Sequence, residues 1–111
     1  MTQQPADLDT VLVALANEHR REMVYALGLQ PHTISQLARQ RELSLPAIHK
    51  HVKLLEDAGL VRRQKVGRTN VLTLNRMSMR SLQVWLEQFH THWGNERATL
   101  ENYDEYVSRT T

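Results

Sequence analysis

The sequence contains no cysteine. That absence excludes disulfides, thiolate metal ligands and thiol redox chemistry together, and it removes the soft ligands a typical arsenic or cadmium sensor needs. Breakers are scarce too, with 4 glycines and 3 prolines in 111 residues, and aromatics make up 5%. A chain so poor in turn formers and rich in Leu, Arg, Gln, Glu and Ala is expected to be mainly helical. No apolar run approaches the roughly 18 residues a membrane-spanning helix requires. The start, Met1 to Asp7, lacks a basic stretch followed by an apolar one, so it does not read as a signal peptide, and a cytoplasmic location is expected. No glycine-rich phosphate loop occurs and no nucleophile–base pair is suggested by spacing. Neither an enzyme nor a cofactor is expected.

What is present is one short cationic stretch. The net charge is only +2, but residues 1–31 and 77–111 are each net acidic. Residues 60–76 hold Arg62, Arg63, Lys65, Arg68 and Arg76 with no acid among them. A basic stripe on a near-neutral protein is the electrostatic footprint of a phosphate-binding surface. A solvated charged hairpin would read the same way, so charge alone leaves both readings open.

The periodicity organises the chain as one domain over residues 7–111 behind a short tail, residues 1–6. From Asp7, the residues Leu8, Val11, Leu12 and Leu15 recur at helical spacing. Asn17 is a good N-cap for a second helix from Glu18, ended by Gly28 and Pro31. His32 and Thr33 form a short connector. Thr33 to Gln36 has the form of a capping box, opening a third helix to about Gln40 that turns Ile34, Leu37 and Ala38 inward. Ser44 caps a fourth helix with Pro46 in its first turn, where a missing N–H costs nothing. That helix runs to about Asp57, with Gly59 as its stop. Its inward face is Ile48, Val52, Leu55 and Ala58.

After Gly59 the period changes. Two β-branched-rich runs, 60–66 and 69–74, flank Gly67-Arg68 and read as a β-hairpin. Asn75 or Ser78 then caps a long final helix, with a weak point at Gly94-Asn95. Its seam of Leu82, Leu86, Phe89, Trp93, Leu100, Tyr103 and Val107 suits packing against another helix.

The expected fold is therefore mainly α (α+β), a winged helix-turn-helix of about five helices with a two-stranded hairpin wing. A helix about 10–12 Å across fits the major groove of B-DNA, and phosphate contacts beside it fix its register. The candidate base- and phosphate-facing residues are Gln36, Ser44, Leu45, Pro46, Ala47, His49, Lys50 and Lys53 from the helix-turn-helix. The wing adds Arg62, Arg63, Lys65, Arg68, Thr69 and Asn70.

These segments also carry a family resemblance. Leu15-Ala-Asn-Glu-His-Arg-Arg21, Ser35-Gln-Leu-Ala38, Leu43-Ser-Leu-Pro-Ala-Ile-His-Lys-His51 and Leu54-Leu-Glu-Asp-Ala-Gly-Leu-Val61 resemble the ArsR/SmtB transcriptional repressors over roughly residues 8–107. The wing and the Trp85…Trp93 helix are similar to a metal-independent branch of that family. The resemblance implies a homodimer built on the first and last helices, with two recognition helices in successive major grooves of double-stranded DNA. It also implies repression by blocking promoter DNA. The implied dimer residues are Leu8, Val11, Leu12, Leu82, Trp85, Leu86, Phe89, Trp93, Leu100 and Tyr103. The chain departs from the pattern at Leu45, where Gln is frequent, and at His49, where Ser is frequent, so the operator cannot be borrowed from relatives.

Three competing readings stand beside this one. The histidines invite a metal site, but His90 and His92 point about 200° apart on a helix and cannot share one ion. Only a site shared across a dimer, for instance Glu87 and His90 with a partner residue, would serve, and no metal is expected. Trp85, Phe89, Trp93 and Tyr103 would suit either a dimer seam or a pocket for a small-molecule effector, which the sequence does not identify. A winged helix also serves in protein-interaction modules that grip an acidic partner. Of the remaining polar residues, His49 shares the face of Lys50 and Lys53. His51 is expected to cap or pack beside the wing. Arg20 and Arg21 are left between phosphate contact and intrahelical pairing with Glu18 or Glu22.

Overall fold

The computed structural model describes residues 6–91 and 96–110. The chain runs α1 (Leu8–Leu15), α2 (Glu18–Leu29), β1 (His32–Thr33), α3 (Ile34–Arg41), α4 (Leu45–Asp57), β2 (Val61–Val66) and β3 (Thr69–Leu74). A 3-10 turn (Arg76–Met79), α5 (Arg80–Thr91) and α6 (Glu96–Thr110) complete it. The core is aliphatic. Val11, Met23, Leu37, Ile48, Val52, Leu55, Leu60 and Leu72 are all fully buried, in one core where α2, α3 and α4 pack on the sheet and α1 packs on α2.

Helix starts follow the capping residues. Asp7, Asn17, Thr33 and Ser44 each accept from the backbone N–H three residues on, satisfying donors that the helix itself cannot. The N–H and hydroxyl of Thr10 also hold the Asp7 carboxyl below its ordinary range. At Thr33 the box is reciprocal: Gln36 Oε1 accepts from the Thr33 N–H at 2.9 Å.

Two helices end in the same six-residue turn. After α4, the Gly59 N–H reaches the Glu56 carbonyl and the Leu60 N–H reaches the Leu55 carbonyl. Leu55 and Leu60 are both fully buried, which seals the turn with an apolar contact. After α3, Glu42 N–H meets the Arg39 carbonyl and Leu43 N–H meets the Ala38 carbonyl. Here the left-handed residue is Glu42, at φ 54, where Gly59 holds φ 79 at no steric cost. An L side chain in that conformation costs about 1–2 kcal/mol, and glycine gives back about half as unfolded-state entropy. Glu42→Gly is therefore expected to stabilise the fold by roughly 0.5–1 kcal/mol, measured as a shift in the urea midpoint at unchanged m-value.

The sheet differs from the expected two-stranded wing. His32 and Thr33 are not a connector but a third strand, paired antiparallel with Leu72 and Val71 of β3 in the order β1-β3-β2. Two residues are too short for any periodic signal. Only the partner strand reveals them, and the pairing buries His32, whose Nδ1 meets the Gln30 carbonyl at 2.8 Å. In the hairpin, Val61 pairs with Leu74 and Val66 with Thr69 across the Gly67-Arg68 turn.

The last third holds one correction, at the start of its helices. The final helix is described as α5 and α6, and the weak point expected at Gly94-Asn95 lies outside the described residues. Asn75 makes no side-chain cap. Its amide instead donates to the Gly59 carbonyl, and its oxygen accepts from Arg62, which ties the foot of the wing to the end of α4. Ser78, fully buried, donates its hydroxyl to the Asn75 carbonyl. α5 packs against α1 and the 3-10 turn.

Candidate nucleic-acid interface

α4 is amphipathic in the manner a groove-reading helix requires. Ile48, Val52 and Leu55 are fully buried, fixing the helix against α2 and α3. Ser44, Leu45, Pro46, His49, Lys50 and Lys53 are exposed and Ala47 is half-buried, so the outward side is left bare. Ser44 is committed as N-cap and Pro46 sits in the first turn. Lys53 holds a long ion pair with Asp57 at 3.6 Å, both side chains largely exposed. A pair of that kind is worth about 0–1 kcal/mol and yields readily to a phosphate.

The wing is exposed on both faces from Arg62 to Asn70, yet its cations are not all available. Arg63 is bound to Glu56 of α4 at 2.7 Å, and Arg62 donates to Asn75. Arg76 caps the carboxyl end of α2 through the Gly28 carbonyl at 2.7 Å. Of the five charges that look unopposed along the chain, Arg63 is paired by Glu56 of α4, while donors of Arg62 and Arg76 are engaged by Asn75 and the Gly28 carbonyl, neutral acceptors that hold the side chains to the scaffold. Lys65 and Arg68 remain at the tip with Thr69 and Asn70. Neither is paired with a carboxylate among the described residues. Gln36 is exposed, but its carbonyl is consumed by the capping box.

Arg20 and Arg21 take neither role expected of them. Arg20 Nε donates to the Ala14 carbonyl at 2.6 Å and Arg21 donates to the Leu15 carbonyl at 2.9 Å. Both cap the carboxyl end of α1, where a cation meets orphan acceptors and the negative end of the helix dipole. His51 packs beside α2 and not beside the wing, its ring 5.6 Å from that of His19. Burial first, then the Arg20 guanidinium and His19, push the His51 pKa down.

Of the residues expected at a dimer seam, Val11 is a correction. It is fully buried inside the chain, because α1 must fill the space above α2. Leu12 and Val13 are the exposed apolar residues of α1, and the spacing argument missed Val13. Leu8, Leu82 and Phe89 are half-buried, with Leu82 leaning on the core. Trp85, Leu86, Leu100 and Tyr103 are exposed. Trp85 and Phe89 meet edge to face at 4.8 Å. Trp93 and His92 lie outside the described residues. No group of three or more metal-ligating side chains occurs among the described residues, and no helix there is long and apolar enough to cross a membrane.

Known proteins share this arrangement. Residues 15–64 match a family described as "Helix-turn-helix domain". The HTH-type transcriptional regulator Rv2034 of Mycobacterium tuberculosis is 34% identical over 83 residues, 75% of this chain and 78% of that protein. The crystal structure of an ArsR family transcriptional regulator superposes with a TM-score of 0.71 at 31% identity, covering 86% of this chain and 99% of the other. The chain belongs to the ArsR family of winged helix-turn-helix transcriptional regulators. The uncharacterized HTH-type transcriptional regulator MJ0229 of Methanocaldococcus jannaschii is 46% identical over 48 residues. That match spans 43% of this chain and half of that protein's length. As an ArsR-family member the protein is a DNA-binding regulator of transcription, a class that is not enzymatic.

Proposed function

We propose that this ArsR-family regulator is a homodimeric repressor that lays the bare side of α4 in the major groove of a near-palindromic operator. The observation that carries the reading is the division of α4: its inner residues are fully buried while Leu45, His49, Lys50 and Lys53 are left exposed beside an equally exposed wing tip. Leu45 and His49 are assigned to base edges. Lys50, Lys53, Lys65 and Arg68 are assigned to phosphates, with Thr69 and Asn70 as neutral backbone contacts. Arg62 and Arg63 act indirectly, by holding the wing to Asn75 and Glu56. Repression follows from occupancy, since a dimer spanning two grooves excludes other proteins from that duplex.

Duplex binding against salt tests the assignment. Each phosphate neutralised contributes about −0.9 to the slope of log K against log salt. Four cations on each of two protomers therefore set an expected slope near −7. Replacing Lys65 and Arg68 by Ala should reduce its magnitude by about 3 to 4. Arg63→Ala should change it by less than about one, because Arg63 is already neutralised by Glu56. A slope untouched by the wing-tip pair would remove the wing from the interface.

A further inference from the structure

We propose that Arg20, His51, His19 and Arg41 form a proton-releasable clamp that positions α4 for DNA, so that acidification through the imidazole range weakens duplex binding. The inference rests on α4 being the DNA-reading helix. Arg20 Nη1 lies 3.3 Å from His51 Nδ1, and Arg41 Nε donates to His19 Nδ1 at 3.1 Å. A guanidinium only donates. Each contact therefore requires an imidazole whose Nδ1 carries no proton, which makes both rings neutral Nε2–H tautomers. The same Arg20 reaches the Ala14 and Val13 carbonyls. One guanidinium thus joins the carboxyl end of α1 to the middle of α4, and the ring pair joins α2 to α4. Arg41 adds the last residue of α3.

The charged groups around His51 explain why a proton would open the clamp. His19 and Arg20 face it from α2, and Arg41 stands behind His19 at the end of α3. Asp9 of α1 and Asp57 of α4 share a hollow with Arg20, and Glu22 of α2 shares one with Arg41. None of these carboxylates bonds to either ring among the described residues. A proton arriving on His51 therefore meets cations without a counter-ion and displaces the Arg20 donor. The depressed pKa carries the sign of linkage. The clamp is whole above the ordinary value of 6.5 and is lost as pH falls through the lower folded value. His49 lies exposed on the outward side of the same helix.

The test measures duplex affinity at fixed ionic strength between about pH 8 and about pH 5.5 in a His49→Gln background, which leaves no imidazole among the residues assigned to the DNA. Affinity is expected to fall about tenfold over that range, the sense set by the lowered His51 pKa. Adding His51→Gln supplies a non-titrating oxygen for Arg20. It should bind like its parent at the upper pH and lose less than about twofold at the lower. Adding His51→Ala should weaken binding at both. A flat profile in the His49→Gln protein, or an equal fall with and without His51→Gln, overturns the clamp. Independently of DNA and of any variant, nitrogen NMR of the unaltered protein should find Nδ1 of His19 and His51 unprotonated near pH 8. A proton on either overturns the proposal. Absence of duplex binding at every pH would instead defeat the parent reading, which the NMR result does not depend on.

Discussion

Trp85→Glu is expected to leave the protein folded, make it monomeric, and weaken operator binding by roughly a hundredfold or more. Large apolar side chains are exposed on two helices that pack together, Leu12 and Val13 on α1 and Trp85 and Leu86 on α5. Trp85, braced edge to face by Phe89, has the character of an interface anchor. A carboxylate there would have to be desolvated without a partner, at a cost of several kcal/mol. Fold stability should be little affected, because Trp85 lies outside the fully buried core. A protomer alone keeps its own contacts but loses the effective concentration its partner supplies, worth about 10²–10⁴. Sedimentation equilibrium paired with duplex titration checks both halves. A variant that is still dimeric would move the seam elsewhere, to α6 or to α1 alone.

Removing Lys50 and Lys53 together is expected to weaken binding by roughly a hundred- to a thousandfold at unchanged sequence preference. A lysine at a phosphate is worth about 1 kcal/mol, and a two-fold dimer presents each twice, so the pair sums to about 4 kcal/mol before coupling. Lys50 should account for the larger share, since Lys53 must first leave Asp57. The loss should appear equally on operator and random duplex, because phosphate contacts carry no sequence information. A loss confined to the operator would make one of the two lysines a base reader. Titration of matched operator and random duplexes at one salt concentration separates these outcomes.

The readable parts of this protein were those governed by local chemistry. The N-caps Asn17, Thr33 and Ser44, Pro46 in the first turn of α4, the Gly59 stop and the Gly67-Arg68 hairpin turn each follow from residue type at a fixed offset and all stand, whereas the side-chain cap expected at Asn75 is not made. The buried stripe Ile48, Val52 and Leu55 follows from helical period. What could not be read locally was set by partners distant in sequence. β1 exists because β3 pairs with it, and Val11 is inside because α2 covers it. Arg63 is neutralised by a Glu56 on another element, and Arg20, which looked like either a phosphate contact or an intrahelical partner, is drawn to the carbonyls of α1. Glu42 in a left-handed turn carries no residue signal at all, since glycine or asparagine would be expected there. Charge counted along the chain therefore overstates what the wing offers, since Arg63 is paired by Glu56 and Arg62 is held by Asn75, leaving Lys65 and Arg68 at its tip.

Selection of bound fragments from random duplex DNA tests the account most directly, because one enriched motif reports symmetry, spacing and base readout together. The expected motif is an inverted repeat whose half-site centres lie about one or two helical turns apart, and His49→Ala should blur one position in each half. Recovery of a single asymmetric site, or of no motif at any salt concentration, would contradict a paired, groove-reading α4.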